Sequence, residues 1–143
     1  MKRQGSNVAD GPRLVDEYPQ WFSPVFSNYV RNSATLPYDN LELMALIAPR
    51  GLLVIENTAL DFLGPWSCYG CTLAVRVIFE ALGDKDNPRM SQVSHGNHQY
   101  ADLTAFLNKL LLRQSVSTDV FTTDGDFNFP AGEWIDWSPP VFP

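Results

Sequence analysis

The chain has little from which to build a metal or cofactor centre. It carries two cysteines and two histidines in 143 residues. The cysteines form one pair, Cys68-Tyr69-Gly70-Cys71, and no second pair exists to complete a four-thiolate zinc site. No P-loop and no dinucleotide fingerprint occurs, so no cofactor is expected. Apolar runs fall well short of the roughly 20 residues that cross a bilayer, which argues against a membrane partner. Basic residues are scarce: ten Lys and Arg against sixteen Asp and Glu leave a net charge of −6. Nucleic-acid binding wants a basic face and is not expected. Met1-Lys2-Arg3 is basic, but the polar run Gln4–Pro12 follows it, so no signal-peptide core is present. Also missing is a G-x-S-x-G elbow, the strand-to-helix turn that presents an acyl-transfer nucleophile.

What is present suits a globular body. Apolar residues make up 45% of the chain, so disorder is not the default. Aromatics reach 13% and include four Trp, which fits either a saccharide-stacking surface or an aromatic-rich core. The length allows one domain or a piece of one. Residues 1–12 are polar and read as a flexible N-terminal segment, and residues 13–143 as the folded unit. Trp21–Val30 reads as irregular structure with a short helix around Ser27–Arg31. Pro37-Tyr38-Asp39-Asn40 is a turn that caps a helix over Leu41–Ala48, stopped by Pro49. Gly51–Asn57 holds the unbroken run Leu52-Leu53-Val54-Ile55 and reads as a central parallel strand covered on both faces.

Tyr69–Leu82 is apolar nearly all round, as in a helix sandwiched between neighbours, with Gly83 as its C-terminal cap. Met90–Ser94 reads as a second strand, and His95-Gly96-Asn97-His98 as the loop after it. Tyr100–Leu112 is an amphipathic helix. Leu103, Phe106, Leu107, Leu110 and Leu111 form its buried stripe, and Asp102, Asn108, Lys109 and Arg113 face out. Ser115–Pro143 has no periodicity and reads as a tail laid over the surface. Strand, helix, strand, histidine loop, helix is how the last third of an α/β-hydrolase domain closes. The predicted fold class is therefore α/β: the C-terminal part of a three-layer α/β-hydrolase sandwich with an incomplete central sheet.

Both histidines lie in one loop after a strand. Imidazole titrates near neutral pH, so His98, with His95 as runner-up, is the candidate general base. A base of this kind needs an acid to orient it, and Glu56 and Asp61 both follow the Gly51–Asn57 strand at its carboxyl end. Cys68 and Cys71 at a helix start suggest a thiol-redox pair, or, with His95 and His98, a Cys₂His₂ zinc set. Neither reading has further support in the spacing, and no metal site is expected. Asp124-Gly125-Asp126-Phe127-Asn128 opens like a calcium loop. It has Phe129 where glycine is needed and Ile135 where glutamate is needed, and is rejected.

Leu36-Pro37-Tyr38-Asp39-Asn40, Leu46-Ile47-Ala48-Pro49-Arg50, Leu53-Val54-Ile55-Glu56-Asn57, Leu63-Gly64-Pro65-Trp66, Tyr69-Gly70-Cys71, Glu80-Ala81-Leu82-Gly83 and His95-Gly96-Asn97-His98 carry a specific likeness. Together they resemble the C-terminal portion of the glucuronoyl esterases, secreted α/β-hydrolases of carbohydrate esterase family 15. The resemblance implies hydrolysis of esters between the 4-O-methyl-glucuronic acid of glucuronoxylan and lignin alcohols, by a Ser-His-acid triad without metal. It implies an extracellular location. It assigns the base to His98 and leaves Asp61 as an alternative acid, because the serine, the oxyanion hole and the usual acid belong to the upstream part. Phe62 stands where the family has a Trp against the glucuronate, keeping an apolar face but losing the indole donor. Trp66 is the second candidate substrate contact. Cys71 matches a family cysteine whose disulfide partner lies upstream, and Cys68 is an addition. The family's cysteine after the histidine is replaced by Gln99. A nucleophile-free chain is expected to be inactive alone. The alternative function is a catalytically dead remnant that binds carbohydrate or a partner through Trp66, Trp134 and Trp137.

Overall fold

The computed structural model describes residues 7–94, 100–117, 121–123, 127–139 and 141. Two small helices, α1 (Gly11–Glu17) and α2 (Ser27–Val30), meet near the N-terminus. Asp10 caps α1, its side chain accepting the Arg13 N–H at 3.0 Å, and Pro12 presets the first turn. The flexible segment expected over residues 1–12 thus gives way to helix at Gly11. The two helices approach closely through Gly11, where a Cβ would lie 2.5 Å from Val30 Cγ2.

Helix α3 (Asn40–Ala45) starts where the capping residues predicted. The Asp39 carboxylate accepts the Leu41 N–H at 3.2 Å, and Glu42 Oε2 accepts the Asp39 N–H at 2.8 Å. This is a reciprocal capping box. Burial pushes the Asp39 carboxyl up, yet the group sits below its usual 3.8, with hydrogen bonds from the Leu41 and Asn40 N–H groups among the causes that lower it. The helix is shorter than expected, with the chain passing into turns after Ala45 rather than at Pro49.

Strand β1 (Leu52–Asn57) leads through a short 3-10 turn, Asp61–Leu63, into the long helix α4 (Pro65–Ala81). Helix α4 begins four residues before the expected Tyr69, because Gly64 adopts the left-handed conformation at its N-cap (φ 74°) and Pro65 presets the first turn. Ala74, Val75 and Phe79 are fully or almost fully buried, each large apolar side chain contributing roughly 1.5–3 kcal/mol by leaving water. Gly83 (φ 83°) ends the helix: its N–H bonds the Glu80 carbonyl and the Asp84 N–H bonds the Phe79 carbonyl. That pairing is a Schellman motif.

Strand β2 (Pro88–Val93) is buried along nearly its whole length. Helix α5 (Tyr100–Leu111) comes next among the described residues. Strand β3 (Phe121–Thr123) and helix α6 (Ala131–Trp134) close the described chain. The three strands are parallel in the order β1-β2-β3. Alternate residues of β1 point to opposite faces. Glu56 contacts Gln92, which reaches the Pro65 carbonyl at the start of α4. A Cβ on Gly51 would lie 2.0 Å from Leu110 and 2.9 Å from Phe106, so α5 covers the other face. The fold is α/β, with helices on both sides of a small parallel sheet.

Three expectations are corrected. Among the described strands β2 is central and β1 lies at an edge, with Ile55 45% exposed rather than covered. Part of the expected surface tail enters the sheet, since Phe121–Thr123 pairs with Met90–Gln92. The stripe of α5 is narrower than its period suggests. Leu107 and Leu111 are exposed, whereas Asp102 turns inward because the buried Ser91 hydroxyl donates to it at 2.5 Å.

Candidate active site

The carboxyl end of β1 leads into the stretch that carries Asp61, Phe62 and Trp66. Beyond β1 the chain stays tied to β2 by the Thr58 N–H, which bonds the Val93 carbonyl at 2.9 Å. Asn57 Oδ1 then accepts the Ala59 N–H at 2.9 Å, an Asx turn that bends the chain away from the sheet. The 3-10 turn that follows carries Asp61 and Phe62, both exposed, with Phe62 at 46%. Its conformation is held from two sides. The Ala9 N–H bonds the Phe62 carbonyl at 2.8 Å, and Val8 Cγ1 lies 3.1 Å from where a Gly64 Cβ would sit. Phe62 thus presents an open apolar face on a braced turn.

Trp66 lies one turn further on, in the first turn of α4. Its ring meets Phe129 at 4.6 Å and, edge-on, Trp134 at 4.8 Å. Tyr69 stacks obliquely on Phe127 at 5.2 Å. The segment 127–134 therefore covers this end of α4 with an aromatic cluster, and Trp66 is half-buried in it. Cys71 is buried on α4 and Cys68 half-buried one turn earlier, and no disulfide joins them. Asp61, Phe62 and Trp66 share one short stretch at the end of β1. His95 and His98 lie outside the described residues. No group of three or more His, Cys, Asp or Glu side chains comes together among the described residues.

Sequence reasoning missed the polar groups that hold the two strand ends. Glu56 is 7% exposed, and its Oε2 accepts the Gln92 Nε2–H directly across the β1–β2 pair. The same amide donates to the Pro65 carbonyl at 3.0 Å. On the opposite face Ser91 bonds Asp102 in the first turn of α5. Adjacent residues of β2, Ser91 and Gln92, are thus anchored on opposite faces of the sheet. The available signal was the polar pair Ser91-Gln92 inside an otherwise buried strand. Buried polar groups of that kind carry partners.

Comparison with known proteins agrees with this arrangement. The family description "Glucuronyl esterase, fungi" matches residues 1–83. The chain is 42% identical, over 99% of its length, to the 4-O-methyl-glucuronoyl methylesterase of Hypocrea jecorina, and covers 31% of that protein. It is 45% identical, over 95% of its length, to 4-O-methyl-glucuronoyl methylesterase 1 of Wolfiporia cocos, and covers 36% of that protein. Among solved structures, the glucuronoyl esterase catalytic domain from Hypocrea jecorina matches 86% of this chain with a TM-score of 0.72 at 43% identity, and 35% of that domain is covered. A mutant glucuronoyl esterase from Sporotrichum thermophile, solved with methyl 4-O-methyl-beta-D-glucopyranuronate, matches 93% of this chain with a TM-score of 0.78 at 36% identity, and 37% of it is covered. The chain belongs to the fungal glucuronyl esterase family, and its described residues form part of that family's α/β-hydrolase-type catalytic domain, spanning about a third of the relatives' length.

Proposed function

We propose that this chain supplies the histidine-bearing portion of an esterase site that cleaves esters of 4-O-methyl-glucuronic acid. The observation that carries the reading is the 42% identity over 99% of the chain to a 4-O-methyl-glucuronoyl methylesterase. His98 acts as general base: it takes the proton from a nucleophilic hydroxyl and returns it to the leaving alcohol. Asp61 serves as an alternative acid that holds the imidazole tautomer. The exposed face of Phe62 packs on the sugar ring, with Trp66 behind it. The nucleophile and the oxyanion hole come from the portion of the domain that the relatives carry and this sequence does not span. Without them a base performs no acyl transfer. The natural substrate is the glucuronoxylan ester of a lignin alcohol, met outside the cell. Cys71 serves as a disulfide position toward the same missing portion.

The test is a chimera in which this chain replaces the aligned segment of the Hypocrea jecorina enzyme. Turnover of a methyl 4-O-methyl-glucuronate ester by the chimera, abolished by His98→Ala, supports the assignment. A His98→Ala chimera that keeps full activity overturns it. The chain by itself is expected to give no turnover.

A further inference from the structure

Open aromatic faces on this chain lie outside the tryptophan cluster. Trp66 and Trp134 meet edge-on, both against Phe129, and are half-buried. Over residues 18–38 the rings stay open. Tyr18 and Trp21 stack at 4.4 Å and 12°, and Trp21, 65% exposed, keeps its second face in water. Phe22 and Phe26 stack at 5.2 Å and 14°. Phe26 is one wall of a cavity of about 310 Å³, lined also by Val25, Tyr29, Leu36, Pro37 and Tyr38. That volume lies at the lower end of the range for small-ligand sites. Every lining side chain comes from residues 23–38, so local folding alone builds the cavity. Ser23 Oγ accepts the Val25 N–H at 3.3 Å, the Ser23 carbonyl accepts the Phe26 N–H at 2.9 Å, and the Phe26 carbonyl accepts the Tyr29 N–H at 3.0 Å. The capping box of Asp39 fixes the chain directly after Tyr38. Walls set in advance lower the ordering cost of binding.

The lining decides which class of ligand fits. Among the described residues no Lys, Arg, His, Asp or Glu side chain lines the cavity. A charged group seated there would lose water and gain no counter-charge. The net charge of −6 further disfavours a polyanion. The polar groups are the Ser23 hydroxyl and the phenols of Tyr29 and Tyr38, whose residues are 41% and 43% exposed. An occupant therefore has aromatic carbon on one side and water on the other. A pyranose ring suits both: its C–H face packs on aromatic rings, and its hydroxyls bond phenols and solvent. A wholly apolar ring would leave its outer face wet. We infer that this cavity is a binding site for a neutral saccharide, held by stacking on Tyr29 and Tyr38. The site goes beyond the esterase reading, because it takes uncharged sugar rings rather than the uronate ester and uses neither His98 nor Phe62.

The experiment titrates the full chain with xylotetraose, a neutral probe that carries no uronic ester. It reads saturation transfer to the sugar and amide shifts in the protein. A dissociation constant of about a millimolar is expected, with the shifts centred on residues 23–38. Tyr29→Ala and Tyr38→Ala should each weaken binding by about fivefold or more. Tyr29→Phe and Tyr38→Phe keep the stacking face and should stay within about threefold. Should an alanine variant loosen helix α2, the shift map of the parent chain decides alone. Four results overturn the proposal: no transfer at about ten millimolar probe, shifts confined to Phe62–Trp66 or to residues 127–139, a tetramer of galacturonic acid binding as tightly, or benzyl alcohol occupying the cavity in preference to the sugar. The same titration of the chimera tests this face beside the rest of a catalytic domain. Transfer that Tyr38→Ala reduces supports the site, and its absence overturns it. Turnover enters none of these readouts. An inactive chimera that binds xylotetraose leaves the saccharide site standing and counts against the chemistry proposed for His98, and an active chimera that does not bind it does the reverse.

Discussion

Replacing Gln92 with leucine tests whether the buried polar pair holds the ends of β1 and β2. Gln92 is 0% exposed, and its amide donates to both the Glu56 carboxylate and the Pro65 carbonyl. Losing the bond to a charged acceptor costs about 1.5–3 kcal/mol and the neutral one about 1 kcal/mol. Part of this is returned. Gln92 Oε1 is buried with no hydrogen-bond partner among the described residues, so leucine at that place removes a desolvated acceptor and adds apolar contact. The net expectation for Q92L is about 2–3 kcal/mol of lost local stability, or roughly a 30-fold to 140-fold larger open population. Amide exchange over Ser91–Val93 reads this directly, whatever the behaviour of the remaining chain. The double variant E56M/Q92L removes both members and should recover most of the loss, because an apolar pair of similar volume replaces a buried charge and its partner. Exchange in Q92L within about threefold of the parent would refute the reasoning, as would a double variant that loses the sum of the single losses.

Gly64→Ala should cost about 1–2 kcal/mol, since Gly64 is left-handed and Val8 crowds the site of the new Cβ. The check is faster exchange at the Ala9 amide, which bonds Phe62, and an unchanged rate there would contradict the bracing role of this contact. Trp66→Ala removes the ring that Phe129 and Trp134 contact, at about 2 kcal/mol for a half-buried Trp. Residues 127–139 should then be cut by protease at lower dose, and equal resistance would show that the cluster does not hold them. Asp39→Ala should cost about 1 kcal/mol in helix α3. The folded carboxyl lies below its usual 3.8, so its stabilising effect is complete above that value and fades as pH falls through the lower, folded one. The difference between parent and D39A in α3 amide exchange should therefore vanish in strong acid, and a difference that persists there would assign the effect to something other than the carboxylate.

Much of the framework was legible because local signals were strong. The run Leu52–Ile55 suited a strand, the all-round apolar pattern of Tyr69–Leu82 marked a sandwiched helix, and Asp39 and Gly83 sat where caps belong. The candidate stretch Asp61, Phe62 and Trp66 was legible through its resemblance to a family, and it does follow β1 on one short turn. Other features depend on partners remote in sequence. Phe121–Thr123 has too few residues for any period, and it is a strand only because Met90–Gln92 lies alongside. Asp102 looked like a solvent-facing residue of an amphipathic helix until Ser91, on a different element, offered it a hydroxyl. Glu56 read as a candidate acid at a strand end, and the register against Gln92 buries it. Strand identity is set by the side chains a segment carries. Whether that strand is central or at an edge depends on which backbone lies beside it, and for β1 only the assembled sheet decided that.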